Sequence, residues 1–198
     1  MKKLLFFFFL LALVSSANAQ RSNSEYDHIF KKYSKRYFGP AYDWKIFKAQ
    51  GIAESGLSPD AESNVGAKGI MQLMPSTYEE IKSRNPDLLE INDPEWNIAA
   101  GIYYDRQLWR SWEDILNDPD KKYFTFGSYN AGKGTIQKAQ DKAKEKKLDH
   151  KSWNSIKEIA PEVPKWRHKE TLEYVTKIDS FQNQLNKAAQ KLHHSFTK

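Results

Sequence analysis

Behind Lys2 and Lys3 the chain opens on an unbroken apolar run, Leu4 to Val14, that ends in Ser15-Ser16-Ala17-Asn18-Ala19. Eleven residues at a helical rise reach only about 16 Å, roughly half a bilayer core. The pattern therefore predicts a cleavable export signal over 1–19 rather than a membrane span. Residues 20–40 are polar and basic with scattered aromatics, and predict an arm or short helix closed by Gly39-Pro40. From Asp43 the apolar positions take helical spacing: Trp44, Phe47 and Gly51 share a stripe, with Asp43 as N-cap and Gly56 as stop. Residues 57–69 are rich in Ser, Pro, Asp, Asn and Gly and predict a loop. Pro75 suits the first position of a helix through Ile81, ended by Asn85-Pro86. Asn92-Asp93-Pro94-Glu95 is a helix start, and the helix turns Ile98, Ile102, Trp109 and Trp112 inward. Residues 132–151 are rich in Lys and Gln, and predict an exposed helix or a long connection. From Glu170 to Leu192, Val175, Ile178, Phe181, Leu185, Ala188 and Leu192 recur at helical spacing. Tyr123-Phe124-Thr125-Phe126 alone hints at a strand, so the expected class is all-α.

Composition sharpens this outline. Only 39% of the 198 residues are hydrophobic, but 11 Phe, 6 Trp and 10 Tyr supply large buried areas, which argues against a disordered chain. There is no Cys, which excludes disulfides, thiolate chemistry, Cys-based metal sites and a lipid-modified N-terminus. The formal charge is +6, and losing Lys2 and Lys3 with the leader leaves +4. A basic balance permits nucleic acid as a partner, but an exported protein rarely meets it, so none is expected. A positive surface also suits a polymer that carries carboxylates. Gly127 to Lys133 comes close to a phosphate-binding loop, but Gly134 stands where Ser or Thr would hold magnesium. His193-His194 lacks a companion ligand set. No metal and no cofactor are expected.

Glu54 is out of place. It lies within about 20° of Phe47 on a helical wheel, along the apolar stripe. Desolvation there raises a carboxyl pKa, which suits a general acid. Downstream follow Gly69-Ile70-Met71-Gln72-Leu73-Met74-Pro75 and Gly127-Ser128-Tyr129-Asn130-Ala131-Gly132, then Glu170-Thr171 with Tyr174-Val175. With Glu54-Ser55, these resemble the ordered motifs of the soluble-type lytic murein transglycosylases (the SLT domain), a family similar in fold to goose-type lysozyme. Asn97 to Leu108 resembles its central helix. The resemblance spans residues 41–180, leaving 181–198 as helix end and tail.

The resemblance implies a lysozyme-like helical domain that cleaves the MurNAc–GlcNAc β-1,4 bond of peptidoglycan to leave 1,6-anhydro-MurNAc. It makes Glu54 the single catalytic acid and base. It implies substrate contacts from Ser63, Gln72, Met74, Tyr129, Asn130, Glu170 and Tyr174. The partner it implies is the peptidoglycan glycan strand, met in the periplasm or cell envelope by a protein without a stable membrane anchor. Asp60, Glu62 and Asp93 flank Glu54 in sequence, but loop solvation and helix capping account for them. A hydrolase of the goose-lysozyme type, or a non-catalytic wall-binding module, remain the alternatives.

Overall fold

The computed structural model describes residues 24–196, with side chains to Lys191. Its elements are α1 (Asp27–Phe38), α2 (Lys45–Ser55), α3 (Pro75–Arg84), α4 (Pro94–Ser111), α5 (Asp118–Ala131), α6 (Lys133–Glu145), α7 (Trp153–Ile159), a 3₁₀ turn (Ala160–Glu162) and α8 (His168–Phe196). Among the described residues there is no strand, only isolated bridges joining Glu62 to Lys68 and Lys68 to Leu73. The class is all-α. The export signal expected over 1–19 lies outside the described residues, as do the side chains of Leu192, His193 and His194.

Local chemistry sets the helix ends. Asp93 Oδ1 accepts from the backbone N–H groups of Glu95 and Trp96, and Pro94 takes the first helical position of α4. Gly56 stops α2 in the left-handed region at φ 65°, its N–H returning to the carbonyls of Gly51 and Ile52. Ser152 caps α7 through Asn154.

Of the two readings of residues 20–40, an arm or a short helix, the described part holds a helix, α1, which packs along α4 and α2 and buries Ile29, Phe30 and Tyr33 in the core. Two expectations change. Tyr123–Phe126 is not a strand but the middle of α5. That helix meets α4, α6, α7 and α8, so Phe124, Thr125, Phe126, Gly127 and Ser128 are all buried. A helix enclosed on most sides loses its polar stripe, and its run of rings then reads like a strand. Trp109 does not turn fully inward. It stays half-buried at the edge of a ring cluster with Phe38 and Tyr42, both of which also meet Phe47. Of the two readings of residues 132–151, the structure holds a helix, α6, which buries Ile136, Ala139, Gln140 and Ala143 on one face.

Helix α2 is the central member. It packs most extensively against α8, and Ile46, Phe47, Ala49, Gln50 and Gly51 are almost entirely buried. Burying a Phe or Ile fully is worth about 1.5–3 kcal/mol each, so the position of α2 is strongly determined. Its last turn carries Glu54 out of this packed half. On α8, Val175 and Ile178 are buried, Phe181 and Leu185 are half-buried, and Ala188 is exposed. The apolar stripe thus fades along the last turns.

Candidate active site

Glu54 is the second-last residue of α2 and is half-buried. Tyr174, on α8 and 120 residues further on, donates its phenol hydrogen to Glu54 Oε1 at 2.6 Å. Burial raises the Glu54 carboxyl to about 7, and the Tyr174 hydrogen bond, which favours the ionised form, opposes that rise. The phenol of Tyr174 is itself held far above its usual range, chiefly by burial and then by the Glu54 charge, so it remains a donor. The result is a carboxyl that exchanges its proton near neutrality.

The loop between α2 and α3 is fastened at several points to the helices around Glu54. Ser55 Oγ, next to the carboxyl, donates to the Ile70 carbonyl at 2.9 Å. Tyr129, on α5, donates to the Met71 carbonyl at 2.8 Å. Asn97, on α4, accepts from Met71 N–H at 2.8 Å, while its Nδ2 donates to the carbonyls of Lys68 and Ile91. Gly69 allows this approach: its φ is +73°, and a Cβ there would sit 2.5 Å from Asn97 Nδ2.

The remaining candidates divide. Gln72 adopts φ 45° and donates through Nε2 to the carbonyls of Ala61 and Gly69, so both its amide hydrogens serve the loop and Oε1 is what it can offer a ligand. Ser63 Oγ accepts from Ala67 N–H and closes the turn over 63–67. Met74, 39% exposed at the start of α3, presents a thioether to solvent. Asn130 and Glu170 are exposed and share the lining of a pocket of about 230 Å³ with Lys165, Arg167 and Trp166. Glu170 also pairs with Arg167 at 2.8 Å. Glu54 does not line that pocket. Asp60 and Glu62 are exposed, and Asp93 is engaged as a cap. Among the described residues no cluster of three or more His, Asp or Glu could hold a metal ion.

Sequence reasoning passed over Asn97 as a clamp, and it missed Gln50 and Asp105 altogether. All three are polar residues that point inward. The one available signal was their place on stripes that are otherwise apolar.

The chain matches the Transglycosylase SLT domain family over residues 29–152. It is 36% identical over 120 residues to a membrane-bound lytic murein transglycosylase F of Desulfosudis oleivorans, covering 61% of this chain and 25% of that protein. A protein of the same name from Maricaulis maris is 32% identical over 133 residues, covering 67% and 28%. The chain thus spans about a quarter of the length of these relatives. Its fold is similar to the 70 kDa soluble lytic transglycosylase of Escherichia coli, with a TM-score of 0.63 at 23% identity, covering 80% of this chain and 24% of that one. An inactive mutant of the lytic transglycosylase Slt from Pseudomonas aeruginosa gives 0.65 at 23% identity, covering 82% and 25%.

Proposed function

The chain belongs to the transglycosylase SLT domain family, and on that premise we propose that it cleaves the MurNAc–GlcNAc β-1,4 bond of peptidoglycan, leaving 1,6-anhydro-MurNAc ends. The observation that carries this reading is the single carboxyl, Glu54, raised to about 7 and held by one phenol. Glu54 protonates the glycosidic oxygen, and positive charge develops at the MurNAc C1. The resulting carboxylate then takes the proton of the C6 hydroxyl of the same sugar as that oxygen closes on C1. One group can serve both steps because its proton is exchangeable near neutral pH. The nucleophile belongs to the substrate and is already in place.

An inverting hydrolase needs a second carboxylate about 6.5–9.5 Å away to activate water, and a retaining one needs it nearer, at about 5–5.5 Å. The carboxyl on which the Glu54 charge acts is Asp105, which is wholly buried and so closed to a water nucleophile. We assign substrate contacts to Gln72 Oε1, Met74, Tyr129, Asn130 and Glu170, with Ser63 shaping the loop and Tyr174 setting the acid. The substrate is met in the cell envelope, after export by the leader over 1–19. No described helix is long and apolar enough to cross a membrane. Digestion of purified peptidoglycan followed by mass analysis tests the reading. Anhydro-muropeptides are expected, and products with only reducing ends would replace it by hydrolysis.

Tyr174→Phe checks how the acid is set. Removing a hydrogen bond that favours the carboxylate leaves Glu54 protonated to higher pH. Activity, which falls as Glu54 ionises, should therefore persist further into the alkaline range, by on the order of one pH unit. A kcat/KM profile moved toward acid would refute this assignment.

A further inference from the structure

Beneath Glu54 lies a polar pair that the chemistry above leaves unused. Gln50 stands one turn earlier on the same face of α2, and Asp105 comes from α4; both are 0% exposed. Gln50 Nε2 donates to Asp105 Oδ1 at 3.3 Å. The other two oxygens, Gln50 Oε1 and Asp105 Oδ2, are buried without a partner.

The groups that face Asp105 are Glu54 on α2, Tyr42 before it, Tyr104 on α4, Tyr129 on α5 and Tyr174 on α8. None of these is a cation. Arg106 turns away over the Phe38 ring at 5.3 Å. From α1 the buried polar group is Ser34, and from α3 Glu80 acts on Tyr104. A carboxylate in that enclosure would have one long hydrogen bond and no counter-charge. Two orphaned acceptors on bonded partners become complementary when one proton is added between them.

We infer that Asp105 is a neutral carboxylic acid that closes a double hydrogen bond with Gln50 (Nε2–H to Oδ1, Oδ2–H to Oε1), and that this pair is a positioning device for Glu54. It ties α4 to α2 one turn below the reacting carboxyl without adding a second negative charge there. That neutrality matters because Glu54 must itself become a carboxylate midway through the reaction. Burial holds the Asp105 carboxyl well above its usual range, and the Glu54 charge adds to the effect. The positioning role rests on the proposed function; the neutral pair does not.

Asp105→Asn keeps both bonds without needing a proton. An acid whose folded pKa is raised contributes fully below its unfolded value, about 3.9, and loses that contribution as pH rises toward the folded value. The Asn variant should therefore melt with the wild type near pH 4 and increasingly above it toward pH 8. A variant that melts lower at pH 8, or a gap that does not grow with pH, overturns the neutral pair. In a Glu54→Gln background the infrared carbonyl band of a protonated carboxyl should persist at pH 7 and vanish on adding Asp105→Asn; its absence beforehand also overturns it. Asp105→Leu breaks the pair and should lower kcat on peptidoglycan by roughly ten- to a hundredfold with little change in KM, and Asn should restore it. A Leu variant as active as Asn overturns the positioning role. A protein that shows the band yet releases nothing from peptidoglycan would overturn the function and leave the pair standing.

Discussion

Glu54→Gln should abolish release of anhydro-muropeptides while making the protein more stable at neutral pH. The amide keeps the shape of the carboxyl and can still accept from Tyr174, but it can neither give nor take a proton. Acid–base catalysis by a placed side chain contributes about 10²–10⁴-fold, and here one group serves both halves of the reaction, so the loss should lie at the upper end or beyond. The stability effect follows from linkage. The folded carboxyl sits at about 7, against roughly 4.3 in an unfolded chain. Its contribution is complete below the unfolded value and is lost as pH rises through the folded one. With allowance for partial access to water, the Gln variant should gain on the order of 2 kcal/mol above pH 7 and nothing near pH 4. Thermal melts at the two pH values, paired with product analysis, check both parts. A Gln variant that still yields anhydro products removes Glu54 from the chemistry.

Gly69→Ala should be the most damaging single methyl in the loop. The position has φ +73°, and a Cβ would lie 2.5 Å from Nδ2 and 2.6 Å from Cγ of Asn97. Left-handed backbone costs an Ala about 1–2 kcal/mol, and forcing atoms into a packed interior adds about 1–3. Together these approach half the stability of an ordinary domain and should lower Tm by on the order of 10 °C. Gly56→Ala separates the two effects: its φ is +65°, but nothing lies within 4 Å of the added carbon. It should show the smaller cost alone. Equal losses at the two sites would mean that the Asn97 contact is soft.

What could be read in advance follows from where the information is held. Asp93-Pro94 marked a helix start because capping is local, and the structure keeps that boundary. Glu54 stood out because a charge on an apolar stripe breaks a periodic pattern, and it lies where that reading put it. The resemblance between motifs marked Tyr174 only as a substrate contact; its bond to Glu54 was not legible, since nothing in the intervening sequence brings two residues 120 apart together. Asn97, Gln50 and Asp105 also sit on stripes that are otherwise apolar, but what each of them bonds to was not legible, because those neighbours come from other segments of the chain. Gln72 was legible as a member of a motif, but not as a side chain whose amide hydrogens brace its own loop.

The 2.6 Å contact between Tyr174 and Glu54 also has a bearing on time. Contacts distant in sequence close large loops and form late in folding. Until α8 docks, α2 lacks the neighbour it packs against most, and Glu54 is a solvated glutamate with an ordinary, acidic pKa. The raised carboxyl is therefore a property of the finished molecule alone. A chain still emerging, or cut before residue 174, carries the whole stretch from Glu54 to Tyr129 and yet has no armed acid. The last helix acts as a safety catch that folding itself releases.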